Sequence, residues 1–287
     1  MVRNFRVTAR RGLTLIELVV VMAILTVLAA MVIPRLDFLK NQAEHATSAS
    51  TAQDLATVLQ VQKTSNGSFP SLDLLVDESG AAYSKLFNIG SPMVNAGTLS
   101  VSTGERWYSS LQDGGLLYGM RNSSTATNAS DSGTIVTDLV NEAASGTLKV
   151  AEVNLAATYA GDIVKAAFPG GVSYQITTPA VADDPATTTV DETAPAVYGW
   201  VQSAAGTVPA GTKLIAMGFG AKSSAVGNTI TSVPMETSTD DPTKVYCRYI
   251  AIFAIYSNGK PAQLKMVVDH RFKQVSKRID QYKSSGI

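Results

Sequence analysis

Residues 10–36 read RRGLTLIELVVVMAILTVLAAMVIPRL, and this stretch decides the architecture of the chain. A basic leader, with arginines at positions 3, 6, 10 and 11, ends at Gly12. The following segment, 13–33, is apolar apart from two threonines and one ionisable residue, Glu17. A helix rises about 1.5 Å per residue, so this segment spans roughly 30 Å, the thickness of a bilayer hydrocarbon core. The sequence therefore predicts a membrane-spanning helix over 13–33.

Glu17 is the unusual residue of this segment, because a carboxylate inside a membrane helix costs about 2–3 kcal/mol and is retained there for a function. A cleaved secretory signal peptide fits poorly, since the apolar run is too long and no Ala-x-Ala-like site follows it. A plain signal anchor explains the hydrophobicity and the cytoplasmic arginines, but not Gly12 or Glu17. Snorkelling of the Glu17 side chain to the cytoplasmic interface remains an alternative structural role.

The segment Gly12-Leu13-Thr14-Leu15-Ile16-Glu17-Leu18 resembles the class III signal of the type IV pilin and type II secretion pseudopilin family. The resemblance implies that a prepilin peptidase cleaves between Gly12 and Leu13 and that Leu13, where the family most often has Phe, becomes N-methylated. It makes Glu17 the fifth residue of the mature chain. It also matches Pro34 to a family position at the end of the apolar run, where a proline is expected to kink the helix.

The predicted cleavage gives Glu17 a partner. A processed chain carries a free ammonium group at Leu13, and Glu17 of one subunit can pair with the Leu13 ammonium of a neighbour when helices bundle. In an apolar bundle this pairing offsets the burial cost of both charges and fixes the axial register. Glu17 is therefore the predicted assembly residue.

The helix is predicted to continue over 34–66 as a soluble half that packs on a head domain. Apolar residues recur there at spacings of three or four, which is typical of one buried stripe, and Asn66-Gly67 ends the pattern. The stripe consists of Leu36, Leu39, Ala43, Ala46, Ala49, Ala52, Leu55 and Leu59.

The head, 67–287, is predicted to be an α+β domain with an antiparallel β-sheet. Candidate strands are 148–155, 172–177, 197–202, 213–218, 245–256 and 262–268. Asn258-Gly259 between the last two predicts a hairpin, since both residues tolerate positive φ. Two polar stretches, 122–146 and 179–195, are predicted to be surface loops or insertions. The tail 271–287 has the spacing of a basic C-terminal helix that lies on the sheet or docks an acidic partner subunit.

Composition limits the function of the head. The leader holds four of the 23 basic residues, so residues 13–287 carry 19 basic and 23 acidic side chains, a net charge of −4 that argues against nucleic-acid binding. Cys247 is the sole cysteine, so an intramolecular disulfide is impossible.

No catalytic motif stands out in the sequence. The stretch 218–223, GFGAKS, lacks the glycine before the lysine that a phosphate loop needs and is predicted to be a turn after a strand. His45 and His270 are predicted to be surface or boundary residues outside any metal-ligand pattern. Calcium is the one ion worth considering, at Asp183-Asp184 or Asp240-Asp241, although solvated acidic turns explain both pairs.

The sequence thus predicts a non-enzymatic structural subunit of a type II secretion pseudopilus or a type IV pilus-like filament. By the family resemblance its partners are the prepilin peptidase, other pilin or pseudopilin subunits, an inner-membrane assembly platform and, before assembly, membrane lipid. It would cross the inner membrane once, with its N-terminus cytoplasmic and its head periplasmic. The pseudopilus is favoured over an adhesive pilus by the missing disulfide and by the Asn-Gly-Ser-Phe-Pro end of the helix. The alternative is a membrane-tethered binding or enzymatic domain that uses a prepilin-type signal.

Overall fold

The computed structural model describes residues 15–86, 88–89, 91–123, 133–157, 160–168, 173–177, 197–201, 207–236 and 240–274. It has four helices and twelve strands over these residues. The helices are α1 Leu15–Asn66, α2 Trp107–Gly114, α3 Leu139–Ala144 and α4 Ala160–Ala167. The strands are β1 Leu72–Asp77, β2 Asn88–Ile89, β3 Ser91–Pro92, β4 Val94–Leu99, β5 Tyr118–Asn122, β6 Ile135–Asp138, β7 Leu148–Val153, β8 Ser173–Thr177, β9 Val197–Val201, β10 Thr212–Gly218, β11 Ile250–Tyr256 and β12 Gln263–Val268.

The long N-terminal helix is confirmed. At 52 residues, α1 is roughly 78 Å long. It ends where predicted, because Gly67 adopts a φ of 75° and its N–H donates to the carbonyl of Lys63 at 2.9 Å. A left-handed glycine directly after the last turn satisfies a helix carbonyl that would otherwise lack a partner.

An eight-stranded sheet forms the centre of the head, and β10 is its branch point. One edge of β10 pairs antiparallel with β11 over its whole length. Its other edge pairs with β7 at Ile215 and Ala216 and with β1 at Gly218. The sheet therefore divides into a β7–β4 branch and a β1–β5–β6 branch. The α+β class is confirmed, and the parallel β1–β5 pair makes the sheet mixed.

The predicted hairpin is confirmed. β11 and β12 pair antiparallel across the turn, where Gly259 has a φ of 82° and the side chain of Asn258 accepts from the N–H of Lys260. All seven residues of β11 are buried, so both faces of the sheet are covered there. The strand begins at Ile250 and not at 245, because the N–H of Tyr246 donates to the carbonyl of Lys85, outside the ladder.

The prediction that 122–146 is entirely surface loop is wrong. The part of this stretch that the structure describes contains β6 and α3, and the side chains of Leu139 and Ala143 lie in the core. The cause is local, since Asp138 caps α3 by accepting from the N–H groups of Val140 and Asn141. The other predicted loop, 179–195, lies outside the described residues.

The prediction of a helix beginning at Arg271 is also wrong. The Asp269 carboxylate accepts from the N–H groups of Arg271 and Lys273 and folds the chain into a turn. Phe272 is buried with a φ of 59°, which is incompatible with a right-handed helix. Gln274 then forms an antiparallel bridge to Val268. Residues 275–287, the rest of the predicted helix, lie outside the described residues.

Candidate functional site

The first part of α1 presents apolar side chains to its surroundings on every side. Residues 15–30 are all exposed, with Leu15 at 81%, Ile16 at 71% and Val27 at 62%. Such a surface is unfavourable in water by about 25 cal/mol per Å² of apolar area. Large exposed apolar surfaces mark sites of membrane or protein interaction. The head leaves this part of α1 uncovered, so its environment must come from elsewhere.

Over the residues that the structure describes, no helix combines the length and the apolar content that a membrane crossing requires. The predicted span 13–33 includes residues 13–14 and the side chains of 31–33, which are outside the described part of the chain.

Four residues were predicted for processing, assembly or the helix kink: Gly12, Leu13, Glu17 and Pro34. The structure describes Glu17 and the backbone at Pro34. Glu17 lies in the first turn of α1 and is exposed, a position where a negative charge is favoured by the helix dipole. Gly12 and Leu13 lie outside the described residues. α1 runs through position 34, and the kink at Pro34 stays a prediction. The pairing of Glu17 with the Leu13 ammonium of a neighbour also stays a prediction.

The second part of α1 is docked on the head by only the later half of its predicted apolar stripe. Leu39, Ala43 and Ala46 are exposed, so the prediction that they are buried is wrong, and the side chain of Leu36 lies outside the described residues. Ala52, Leu55 and Leu59 are buried with 4%, 3% and 0% exposure, and they recur every three or four residues. Val61 on the opposite face is 52% exposed. The buried stretch begins at Ser48 and Ala49, so the first turns of the helix extend well beyond the head.

A buried ionic cluster lies where α1 reaches the head. The imidazole of His270 has no exposed surface and is held between two carboxylates. Its Nδ1 contacts Glu236 Oε2, and its Nε2 lies 2.6 Å from Asp240 Oδ2. Arg271 also donates to Asp240 Oδ2, from Nε at 2.9 Å. On the helix side, the Ser48 hydroxyl donates to Glu236 Oε1 at 3.2 Å.

The cluster shifts the titration of its members. Burial disfavours the charged ring of His270, but the hydrogen bonds and charges of Glu236 and Asp240 outweigh it, so the pKa of His270 is raised above its ordinary value. Burial raises the pKa of Asp240, yet hydrogen bonds from His270 and Arg271 outweigh this effect and lower that pKa overall. The raised pKa of His270 and the lowered pKa of Asp240 both favour the state in which the ring is an imidazolium and Asp240 is ionised.

These contacts overturn the prediction that His270 is a surface or boundary residue. The sequence carries no sign of the cluster, because Glu236 and His270 are brought together only by the fold. His45 lies on α1 and is half-buried.

The structure also describes one of the two calcium candidates and the stretch 218–223. Asp240 is held by His270 and Arg271, while Asp241 Oδ1 accepts from Thr243, so a cation at this pair would have to displace those donors. Asp183 and Asp184 lie outside the described residues. Within the described part of the chain, no group of His, Cys, Asp and Glu is arranged to hold a metal ion. The turn after β10 at 218–223 is confirmed.

Comparison with known proteins identifies the N-terminal segment. Residues 8–33 match the family model of the prokaryotic N-terminal methylation motif, which is the region that carries Gly12, Leu13 and Glu17. No curated protein matches the chain, and no solved structure matches it. A motif of this kind implies processing by a prepilin peptidase and assembly with other pilins, and it suggests anchoring in the inner membrane. Residues 8–33 thus carry the prokaryotic N-terminal methylation motif, consistent with the class III signal of type IV pilins and pseudopilins.

Proposed function

We propose that this protein is a structural, non-catalytic subunit of a pilus-like filament, with the type II secretion pseudopilus as the favoured system. One observation carries the proposal. The methylation motif at 8–33 includes the first part of α1, and the head leaves the apolar side chains of 15–30 uncovered. In the proposed cycle, the segment 13–33 first lies in the inner membrane, with the head in the periplasm. The assembly platform then transfers it into a bundle of similar helices.

The driving force for assembly is burial of the exposed apolar side chains against neighbouring subunits. Apolar burial alone does not fix how neighbouring helices are aligned. The Glu17 carboxylate pairs with the Leu13 ammonium of the next subunit and so selects one axial register. The docked part of α1 transmits this register to the head, since Leu55 and Leu59 fix the helix in the core.

The pseudopilus is favoured over an adhesive pilus for two reasons. Cys247 is the sole cysteine, so the head has no disulfide. The end of α1, Asn66-Gly67-Ser68-Phe69-Pro70, is similar to the corresponding segment of pseudopilins. In this chain, Phe69 packs edge-on against Phe253, with the ring centroids 5.0 Å apart, so the segment anchors the end of the helix to β11.

Processing is tested first. In Gly12→Leu, a branched side chain replaces the residue that lets the backbone lie extended against the peptidase, so the leader should remain attached. Mass spectrometry of the wild type co-expressed with a prepilin peptidase should give a methylated N-terminus at Leu13. A wild-type N-terminus elsewhere, or cleavage after residue 12 in the variant, would contradict the proposal.

Assembly is tested with Glu17→Leu. The variant is more apolar, so it should enter the membrane at least as well as the wild type. It removes the partner of the neighbouring ammonium, so it should be processed and yet enter filaments poorly. Val21→Leu, one turn further along the helix, is the matched control and should assemble normally. Equal filament yield from Glu17→Leu and wild type at equal membrane abundance would favour the tethered-domain alternative.

A further inference from the structure

The connection between β10 and β11 runs alongside α1. Near one end of the docked helix, the Thr229 hydroxyl donates to Gln62 Oε1 at 3.1 Å, and near the other, Ser48 donates to Glu236 Oε1 at 3.2 Å. From position 48 to 62 the helix rises about 21 Å, and an extended chain from 229 to 236 spans about 23 Å. The two lengths agree, so residues 229–236, which we call the strap, run antiparallel to the docked half of α1, with a bend at 231–232.

The strap is fastened most firmly at its Glu236 end. The N–H of Glu236 donates to the carbonyl of Cys247 at 3.0 Å, and its carboxylate contacts both Ser48 of α1 and His270. His270 in turn holds Asp240, beyond the strap. The Thr229 end is joined to α1 by the hydrogen bond between the neutral side chains of Thr229 and Gln62, which contributes less than a charged pair.

The charge state of His270 decides whether this fastening holds. A neutral imidazole has one N–H and one lone pair, so it can donate to only one of the two carboxylates. The imidazolium donates to both. With the ring fully buried, a neutral His270 would leave a carboxylate facing a lone pair in a region of low dielectric, which is strongly unfavourable.

The groups around His270 act in both directions. Asp269 lies next to His270 in the turn, and its charge also favours the imidazolium. Arg271 neutralises Asp240. From the segment before β11 come the thiol of Cys247, near the carbonyl of Asp240, and the buried side chains of Arg248 and Tyr249. α1 contributes the neutral Ser48, and His45 lies one turn before it.

We propose that His270 is a pH-dependent fastener, which holds the strap against α1 when its ring is charged and releases the Glu236 end when its ring is neutral. Release frees the helix near Ser48 while Gln62 and the apolar stripe stay docked. The device therefore adjusts how firmly the exposed part of α1 is held to the head.

The direction of the pH dependence follows from the two titrations. Because the folded-state pKa of His270 is raised, its stabilisation is complete below its ordinary pKa and is lost as the pH rises through the folded-state value. Because the pKa of Asp240 is lowered, its stabilisation is present above its ordinary pKa and is lost as the pH falls through the folded-state value. The strap is therefore held between these limits and opens on the alkaline side.

The charge of His270 can be observed directly, because the chain contains two histidines. Full-length protein in detergent, labelled with ¹⁵N-histidine, should show one ring whose two nitrogens stay protonated to a pH above the ordinary histidine pKa. His45→Gln should leave that signal in place. Glu236→Gln keeps the shape and the acceptor for Ser48 but removes a charge, so it should lower the pKa of His270 towards its ordinary value. A His270 ring that is neutral at pH 6 would overturn the proposal.

Release of the strap is measured by hydrogen exchange of the same protein, corrected for the intrinsic rate. Exchange in peptides from 229–236 should rise by up to about tenfold per pH unit between the ordinary pKa of His270 and its raised folded-state pKa and level off above it, while exchange around Leu59 should not. In His270→Gln the strap should exchange fast at every pH. If this variant does not fold, Glu236→Gln should show a smaller rise that levels off at lower pH than in the wild type. Strap exchange that is independent of pH in the wild type would overturn the proposal.

Discussion

Leu59→Ala tests whether the docked half of α1 is part of the core of the head. Leu59 is fully buried in the stripe that faces the head, beside Leu55. Truncation of a buried leucine removes its transfer free energy and leaves a cavity, for a total cost of about 2–5 kcal/mol. The surrounding residues belong to α1 and to the head, so both should lose stability together.

The expected change is large enough to measure by thermal unfolding. A destabilisation of about 3 kcal/mol lowers the melting temperature by roughly 6–12 °C in a protein of this size. The matched control is Val61→Ala on the same helix, because Val61 is 52% exposed. Alanine has the higher helix propensity, so this control should change the free energy of unfolding by less than about 0.5 kcal/mol.

Two results would refute the reasoning. Equal unfolding free energies for Leu59→Ala and Val61→Ala would mean that the stripe does not contribute to the core. A loss of helix signal in Leu59→Ala with an unchanged transition of the head would mean that α1 and the head are separate units. In either case the proposed transmission of axial register from α1 to the head would fail.

Three further predictions address the head. Gly259→Ala, at a φ of 82°, should destabilise the hairpin by about 1–2 kcal/mol, whereas Gly161→Ala, with open space around it in α4, should be neutral or slightly stabilising in the same denaturant titration. Burial raises the pKa of Cys247 to about 11, so a thiol reagent at pH 8 should leave the folded protein unlabelled and modify it fully in denaturant; rapid labelling of the folded protein would contradict the structure. Tyr246→Phe removes the hydroxyl that donates to buried Asp73 at 2.9 Å and should cost about 1–3 kcal/mol in the free energy of unfolding, and a cost near zero would mean that Asp73 does not need this donor.

Local features of this fold were predictable from the sequence, and features that depend on distant pairing were not. The hairpin at Asn258-Gly259 and the end of α1 at Gly67 follow from backbone preferences of adjacent residues. α3 also had a local sign, the capping residue Asp138, but the polar composition around it favoured a loop. The turn at 269–273 overrides a helical spacing because the Asp269 side chain satisfies two N–H groups.

In the candidate site, too, the part formed by adjacent residues was predictable and the part formed by distant residues was not. The apolar segment with Glu17 is formed by consecutive residues, and the family model matches it within residues 8–33. The cluster joins His270 to Ser48, Glu236 and Asp240, each of which is at least 30 positions away from it in the sequence. No spacing rule applies to such residues, so only the three-dimensional structure shows that this histidine is buried between two carboxylates.

The branch point at β10 has a consequence for the order of folding. β1 joins the sheet through Gly218 of β10, and its residue Asp73 is held by Tyr246, 173 positions later in the sequence. The β1–β5–β6 branch therefore cannot be joined to β10 until most of the chain is available. Closing such distant pairs loses much chain entropy before contacts compensate, which is typical of domains that fold in milliseconds to seconds. During that interval the edge of β1 that pairs with β10 stays open, which exposes this apolar strand to aggregation before the sheet closes.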